Sequence, residues 1–144
     1  MEQISTIMTQ QHRLCDEHYA ALENSAGESD WEQATAAWRR FNQNMLDHFD
    51  NEESVLFPAF ETATGNTQGP TQVMRMEHQQ MRSLLEGLQQ AVENQYAEQV
   101  LGVGETLMLM IQQHNMKEEQ ILYPMVDNAV STASVSDQLK AMEE

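Results

Sequence analysis

Residues 48–58 read HFDNEESVLFP, and residues 114–124 read HNMKEEQILYP. Both stretches fit the pattern H-x-x-x-E-E-x-x-L-[F/Y]-P, and they begin 66 residues apart. Two further histidines, His12 and His78, are also 66 residues apart, and each lies 36 residues ahead of its motif. The chain is therefore two copies of one unit, in which a lone histidine precedes a His-x-x-x-Glu pair.

Helical periodicity surrounds these motifs, and strand-like alternation is absent. The apolar stripes predict helices over about residues 2–24, from residue 31 to about 62, over 71–94 and over 97–128. Ser29 and Glu32 fit a capping box at the start of the second helix. The linker TGNTQGPT at 64–71 separates the two copies. Four long helices with short joins predict an all-α, antiparallel up-down four-helix bundle. We expect it to span residues 1–130, and the tail, residues 131–144, to add a short helix or to fray.

The charge balance excludes several classes of partner. Lysine and arginine total 7 against 23 acidic residues, which gives a formal net charge of −16. Such a surface repels nucleic acid and anionic lipid. No apolar run reaches the roughly 20 residues of a membrane span. The first residues lack the basic and apolar parts of an export signal. The single cysteine, Cys15, excludes an internal disulfide. We therefore expect a cytoplasmic protein that binds neither nucleic acid nor membrane.

Six ionisable side chains fall within the predicted apolar stripes: His12, His48, Glu52, His78, His114 and Glu118. Burying them in a bundle core is costly unless they pair with each other or bind metal. Residues i and i+4 lie about 5–6 Å apart on one helix face, so the His and Glu of each motif can reach one centre. One lone core histidine is usually a satisfied core residue, but four histidines at repeated spacings favour a metal site.

The type of ligand narrows the choice of metal. Imidazole and carboxylate suit iron, zinc, copper or manganese, and the lack of thiolates argues against a structural zinc site. Six ligands are too many for one tetrahedral zinc ion. They suit two octahedral ions that share two bridging carboxylates. This arrangement leaves positions for a bridging oxo or hydroxo group and for a small exogenous ligand.

These residues resemble the hemerythrin-like family, or HHE cation-binding domain, over roughly residues 5–128. The resemblance implies a four-helix bundle around a non-haem di-iron centre. It implies that His12, His48, His78 and His114 are terminal iron ligands. Glu52 and Glu118 look like the bridging carboxylates.

Two positions depart from the pattern of the oxygen-carrying hemerythrins. Those proteins have a fifth histidine where this chain has Arg82, and an H-x-x-x-x-D in the fourth helix where it has His114 and Glu118. Four histidines and two glutamates are similar to the domain of the repair-of-iron-centres proteins, which act in nitrosative and oxidative stress. Those proteins usually carry an additional N-terminal domain with cysteines, for which the stretch before His12 leaves no room.

Several neighbouring residues have a structural and a functional interpretation. We expect His18 to be a surface residue rather than a fifth ligand or proton relay. Tyr19 is expected to be a core aromatic rather than a donor to bound ligand, and Cys15 a buried apolar residue rather than a redox thiol. Glu53 and Glu119 follow the motif glutamates and are expected to point away from the centre as solvated or salt-bridged residues rather than to support the ligands, and Glu77 has the same two interpretations.

The function indicated by these residues is binding of O₂ or NO at a di-iron centre, in stress response, sensing or iron-centre repair. A di-iron oxidoreductase that reduces O₂, peroxide or NO is one alternative, with an electron-donor protein as its partner. A protein that stores iron or delivers it to an accepting protein is another. The absence of a fifth histidine leaves one more open metal position than in the oxygen carriers, which weakens the reversible-carrier interpretation.

Overall fold

The first copy of the repeat forms a helical hairpin. The computed structural model describes residues 1–144 and begins with α1 (Ile4–Gly27) and α2 (Trp31–Asp50). A π-helical segment (Asn51–Leu56) then joins α2 directly to α3 (Phe57–Thr64), so that the three elements form one continuous rod.

The second copy repeats this arrangement. It consists of α4 (Pro70–Glu93) and α5 (Ala97–Lys117), and a second π-helical segment (Glu118–Leu122) joins α5 to α6 (Tyr123–Ala129). Contacts of α1 with α2 and of α4 with α5 form the two hairpins, and contacts of α1 with α5 and of α2 with α4 close the bundle. The predicted all-α bundle is thus confirmed. No helix in it combines the length and apolar character that crossing a membrane requires.

The helix ends follow local backbone chemistry. Asp30 caps α2, since its side chain accepts a hydrogen bond from the Gln33 backbone N–H at 3.3 Å. The predicted cap at Ser29 is wrong by one residue, because Ser29 has a left-handed backbone with φ of 58° in the connection between α1 and α2. Gly65, with φ of 73°, ends α3, and Pro70 supplies a preset φ at the first turn of α4.

Two apolar clusters fill the bundle, one on each side of a polar layer. The larger cluster includes one residue from each of the four long helices α1, α2, α4 and α5: Cys15, Phe49, Met81 and Ile111. The smaller one includes Met8, Leu56, Met74 and Leu122, again one from each rod. Along every rod the change from one cluster to the other falls at the histidine or the His-x-x-x-Glu pair. The six ionisable residues therefore form a layer sealed above and below by apolar packing.

Gly104 lies inside α5, where glycine normally weakens a helix. A Cβ at this position would overlap the hydroxyl of Tyr19, a buried residue of α1. Gly104 thus permits the close approach of α1 and α5. Gly102 faces open space and has no such role.

The tail folds back onto the bundle. After α7 (Thr132–Val135) and a 3-10 turn (Ser136–Gln138), residues 139–143, here called the C-terminal strap, lie across α2. The buried side chain of Asn51 accepts from Lys140 N at 2.7 Å and donates to Lys140 O at 3.0 Å. Buried Asn44 makes the same pair of bonds to the backbone of Glu143, at 3.0 and 2.7 Å. The predicted short helix is present, but the strap is ordered by two asparagines rather than frayed.

Candidate metal centre

The bundle brings all six predicted residues together in its polar layer. They form two groups of four, and within each group one potential ligand atom from every residue lies within 4.8 Å of the others. One group combines His12 and His48 with Glu52 and Glu118, and the other combines His78 and His114 with the same two glutamates. Both glutamates therefore belong to both groups. All six side chains are buried, with at most 4% of their surface exposed.

The distances within the layer repeat with the duplication. His12 Nε2 lies 3.0 Å from Glu118 Oε1, and His78 Nε2 lies 3.0 Å from Glu52 Oε1. Each lone histidine thus contacts the glutamate of the other copy. Each motif histidine instead contacts its own glutamate, with Nε2–oxygen distances of 3.4 Å for His48 and 3.3 Å for His114. The two copies are therefore interlocked through their glutamates.

The lone histidines are held from outside by the second glutamate of each motif. His12 Nδ1 donates to Glu119 Oε2 at 2.7 Å, and His78 Nδ1 donates to Glu53 Oε2 at 2.5 Å. A carboxylate only accepts, so the Nδ1 atoms carry the protons and the Nε2 atoms face the layer. Glu53 and Glu119 are salt-bridged, as expected, but their partners include the lone histidines, so the expectation that they point away from the centre is wrong.

The motif histidines are held by the residues that precede the lone histidines. His48 Nδ1 donates to Gln11 Oε1 at 2.8 Å, and His114 Nδ1 donates to Glu77 Oε1 at 2.8 Å. Partners of this kind fix the orientation and tautomer of metal-binding imidazoles. Of the two interpretations of Glu77, the structure therefore favours the one in which its side chain supports a histidine of the layer. The sequence contained the signal, because residues 11 and 77 are also 66 apart.

Two cations support the outer carboxylates of the second histidine pair. Both guanidinium nitrogens of Arg82 donate to Glu53, at 2.9 and 3.1 Å. Lys117 Nζ donates to Glu77 at 2.6 Å. Arg82, which stands where oxygen carriers have a fifth histidine, therefore contributes to this layer through Glu53 instead.

The π-helical segments explain why both glutamates of each motif reach histidines of the layer. Their hydrogen bonds run five residues back, from the Phe57 N–H to the Glu52 carbonyl and from the Tyr123 N–H to the Glu118 carbonyl. This wider turn changes the direction of side chains relative to an α-helix. The next residue in each case is proline, which lacks an N–H and would clash with the carbonyl of an α-helical turn.

Tyr123 is the residue of the layer that sequence reasoning missed. Its side chain is fully buried, and its hydroxyl donates to Glu52 Oε2 at 2.7 Å. The Tyr123 hydroxyl oxygen also lies 3.0 Å from Glu118 Oε1, 3.1 Å from His12 Nε2 and 3.5 Å from His48 Nε2. Burial, with the nearby carboxylates of Glu118 and Glu52, raises the pKa of Tyr123 well above its usual range. The available signal was the aromatic position of the motif, at which the second copy has a tyrosine.

The carboxylates make the lone histidines basic. Burial opposes protonation of His12, but the carboxylates of Glu118 and Glu119 outweigh burial and raise its pKa to about 9. For His78, Glu52 and Glu53 likewise outweigh burial and raise the pKa to about 9. Without metal, both imidazoles are therefore cationic at neutral pH.

The glutamates respond in the opposite direction. Burial would raise the pKa of Glu53, but hydrogen bonds from His78 and Arg82 lower it to about 2. Burial would also raise the pKa of Glu118, yet its hydrogen bonds and the neighbouring His114 hold it well below the usual range. The anionic carboxylates of Glu118 and Glu53 thus lie beside the cationic imidazoles of His12 and His78.

Four buried atoms of the layer have no hydrogen-bond partner: Glu52 Oε1, His78 Nε2, His114 Nε2 and Glu118 Oε2. An unpartnered buried polar atom is costly, and a cluster of four needs an explanation. They belong to the four residues of one of the two groups. Imidazole nitrogens and carboxylate oxygens are ligands for first-row transition metals, so the residues present fit a metal ion.

The remaining sequence candidates lie outside the layer. His18 hydrogen-bonds the Glu143 backbone carbonyl at 2.9 Å and contacts none of the six residues. Cys15 and Tyr19 belong to the larger apolar cluster. Burial raises the pKa of each of these two side chains to about 12. Their structural interpretations agree with these positions.

The fold and this layer define a helical-bundle protein with a buried histidine–glutamate centre. A model of the hemerythrin HHE cation-binding domain family matches residues 3–126. The chain belongs to this family, and with its two donor groups it is a metal-binding protein. No curated protein and no solved structure gives a significant match to the chain.

Proposed function

We propose that the layer holds two iron ions and that the centre binds a small diatomic molecule, O₂ or NO. Glu52 and Glu118 would contribute to both ions, His12 and His48 would hold one of them, and His78 and His114 would hold the other. The observation that carries the proposal is the sharing of both glutamates by the two groups of donor atoms. A single ion would use one group and leave the second pair of histidines without a purpose.

The donor set supports iron. Two imidazoles and one oxygen from each carboxylate give an ion four protein ligands, and six-coordinate metals then keep open positions. Bound iron supplies a redox-active centre to which a diatomic ligand can attach. The chain's own residues orient the imidazoles through their Nδ1 partners and exclude bulk water through burial. The resemblance described above adds an oxidative or nitrosative stress role, in sensing or iron-centre repair.

The limited access from solvent to the six residues favours a small ligand. The six side chains are almost completely buried, so a large substrate cannot contact them. A surface cavity of about 270 Å³ reaches His12 and is lined by polar residues that include Asp16 and Glu119. A diatomic molecule or a metal ion is of a size that such a cavity admits.

A di-iron oxidoreductase is the second candidate, and Tyr123 is the observation that favours it. Its phenol O–H lies within hydrogen-bonding distance of both shared carboxylates. A proton donor at this place is what reduction of a bound diatomic ligand requires.

The test loads metal-free protein with Fe(II) under anaerobic conditions and records absorption spectra on addition of O₂ or NO. A reversible band supports ligand binding, and one-way oxidation with product release supports the enzyme. Iron that passes to a chelator without any ligand-dependent band would contradict both.

Substitution of the shared glutamates tests the two-ion arrangement. Glu52→Ala and Glu118→Ala each remove a ligand from both halves, so we expect iron content to fall sharply in either variant. Elemental analysis measures it, with Glu86→Ala, an exposed residue of α4, as the control. Retention of two irons per chain in either shared-glutamate variant would disprove the bridging assignment.

A further inference from the structure

The two halves of the layer differ in one hydroxyl group. In the His12–His48 half, the Tyr123 oxygen lies 2.7–3.5 Å from a donor atom of each of the four residues. In the His78–His114 half, the donor atoms have no hydroxyl partner, and their contacts are the histidine–glutamate distances of 3.0 and 3.3 Å. Only one half therefore contains a hydroxyl group in addition to its histidine–glutamate contacts.

Phe57 is the counterpart of Tyr123 in the other copy. It stands 66 residues earlier, at the same motif position, and is equally buried. The Tyr123 ring stacks on His12 with centroids 5.5 Å apart at 25°. The Phe57 ring stacks on His78 with centroids 5.9 Å apart at 18°. The two rings thus have equivalent positions, and only the hydroxyl group distinguishes them.

We infer that Tyr123 makes the two halves unequal and sets the order of metal loading: the first ion binds in the His78–His114 half. This inference rests on the two-ion centre proposed above. An ion entering that half displaces only its histidine–glutamate contacts, and the other half has contacts of the same kind. An ion entering the His12–His48 half must take Glu52 and Glu118 oxygens away from the Tyr123 hydroxyl.

The size of the difference follows from that hydrogen bond. An ion that must displace a hydrogen bond between a neutral hydroxyl and a buried carboxylate is expected to bind about ten- to a hundredfold more weakly. The wild-type protein is therefore expected to bind Fe(II) in two resolved steps separated by about that factor.

The experiment is anaerobic calorimetric titration with Fe(II) of the wild type, Tyr123→Phe and Phe57→Tyr. Tyr123→Phe removes the hydroxyl and keeps the ring, so the weaker step tightens about ten- to a hundredfold while the tighter step is unchanged. Phe57→Tyr places a hydroxyl in the other half and weakens the tighter step. Circular dichroism of each variant verifies folding, and either substitution alone tests the inference if the other variant fails to fold.

Two further variants locate the first ion. His12→Ala removes a ligand from the Tyr123 half, and it keeps the tighter step. His78→Ala removes a ligand from the other half, and it loses the tighter step. The opposite result would overturn the proposed order.

The remaining outcomes separate this inference from the proposed function. Two ions in every protein, with a weaker step that does not respond to Tyr123→Phe, would overturn the inference and leave the two-ion centre standing. One ion in the wild type and two in Tyr123→Phe would support the inference. One ion in both proteins would overturn the two-ion centre and the inference together.

Discussion

Replacement of Glu53 by glutamine tests whether the outer carboxylates set the strength of the metal site. The Glu53 side chain accepts from His78 Nδ1 at 2.5 Å and from both guanidinium nitrogens of Arg82 at 2.9 and 3.1 Å. Glutamine keeps the shape of the side chain but removes its charge. It also presents an N–H₂ group to Arg82 or to His78, where only an acceptor fits.

The expected loss follows from these contacts. A hydrogen bond to a charged group contributes about 1.5–3 kcal/mol. At about 1.4 kcal/mol per tenfold change, removal of the charge behind His78 weakens metal binding about ten- to a hundredfold. Substitution of outer partners of metal-binding histidines has effects of the same range.

The assay is anaerobic competition for Fe(II) between the protein and a chromophoric chelator. Glu86→Gln, at an exposed position of α4, the helix that carries His78, is the control and is expected to bind as the wild type does. If Glu53→Gln also binds iron as tightly as the wild type, while His78→Ala does not, the outer carboxylate has no influence on affinity and the reasoning is refuted.

Three further outcomes are expected. His18→Ala keeps full metal content in elemental analysis, because its imidazole contacts the strap and not the layer; loss of iron would contradict this. Gly104→Ala lowers the free energy of unfolding by about 1–3 kcal/mol, because the added methyl group overpacks against the Tyr19 hydroxyl. Gly102→Ala, which meets open space, is neutral or stabilises by up to about 1 kcal/mol, and equal effects would refute the packing argument. His12 and His78 have a folded pKa of about 9 against 6.5 for the free side chain. Their contribution to metal-free stability is full below pH 6.5 and is lost as pH rises through about 9, whereas metal binding needs the neutral imidazole and strengthens over the same window. The difference in Tm between metal-bound and metal-free protein should therefore increase from pH 6.5 to 9. A difference that stays constant over this range would contradict the expected direction of the pH dependence.

The duplication made the inner part of the centre predictable from sequence. Apolar periodicity placed each histidine on an inward face, and the spacings of 36 and 66 residues placed all four at one level of an antiparallel bundle. The structure of the connecting loops was not needed for this prediction. In an up-down bundle, positions at matched distances along neighbouring antiparallel helices lie at the same level. For these reasons the six inner residues meet as the sequence indicated.

The outer part was not predictable from an α-helical pattern. Glu53 follows His48 by five residues, a spacing that faces away in an α-helix but not in the π-helical segment that contains it. Pro58 was the available signal, since proline within a continuous rod requires a local change of hydrogen bonding. The strap could not be foreseen either. Asn44 and Asn51 bind backbone atoms about 90 or more residues away, and no periodicity records such pairs.

The C-terminal strap gives the chain's last residues a connection to an imidazole of the centre. Asn51, which holds Lys140, also donates to Gln11 at 3.3 Å, and Gln11 accepts from His48 at 2.8 Å. Three hydrogen bonds thus separate the backbone of residue 140 from a ring that faces the shared carboxylates. An affinity tag or fusion partner attached behind this strap begins only a few residues from that connection. Preparations intended for metal-content measurements should carry their tags at the other terminus, ahead of α1.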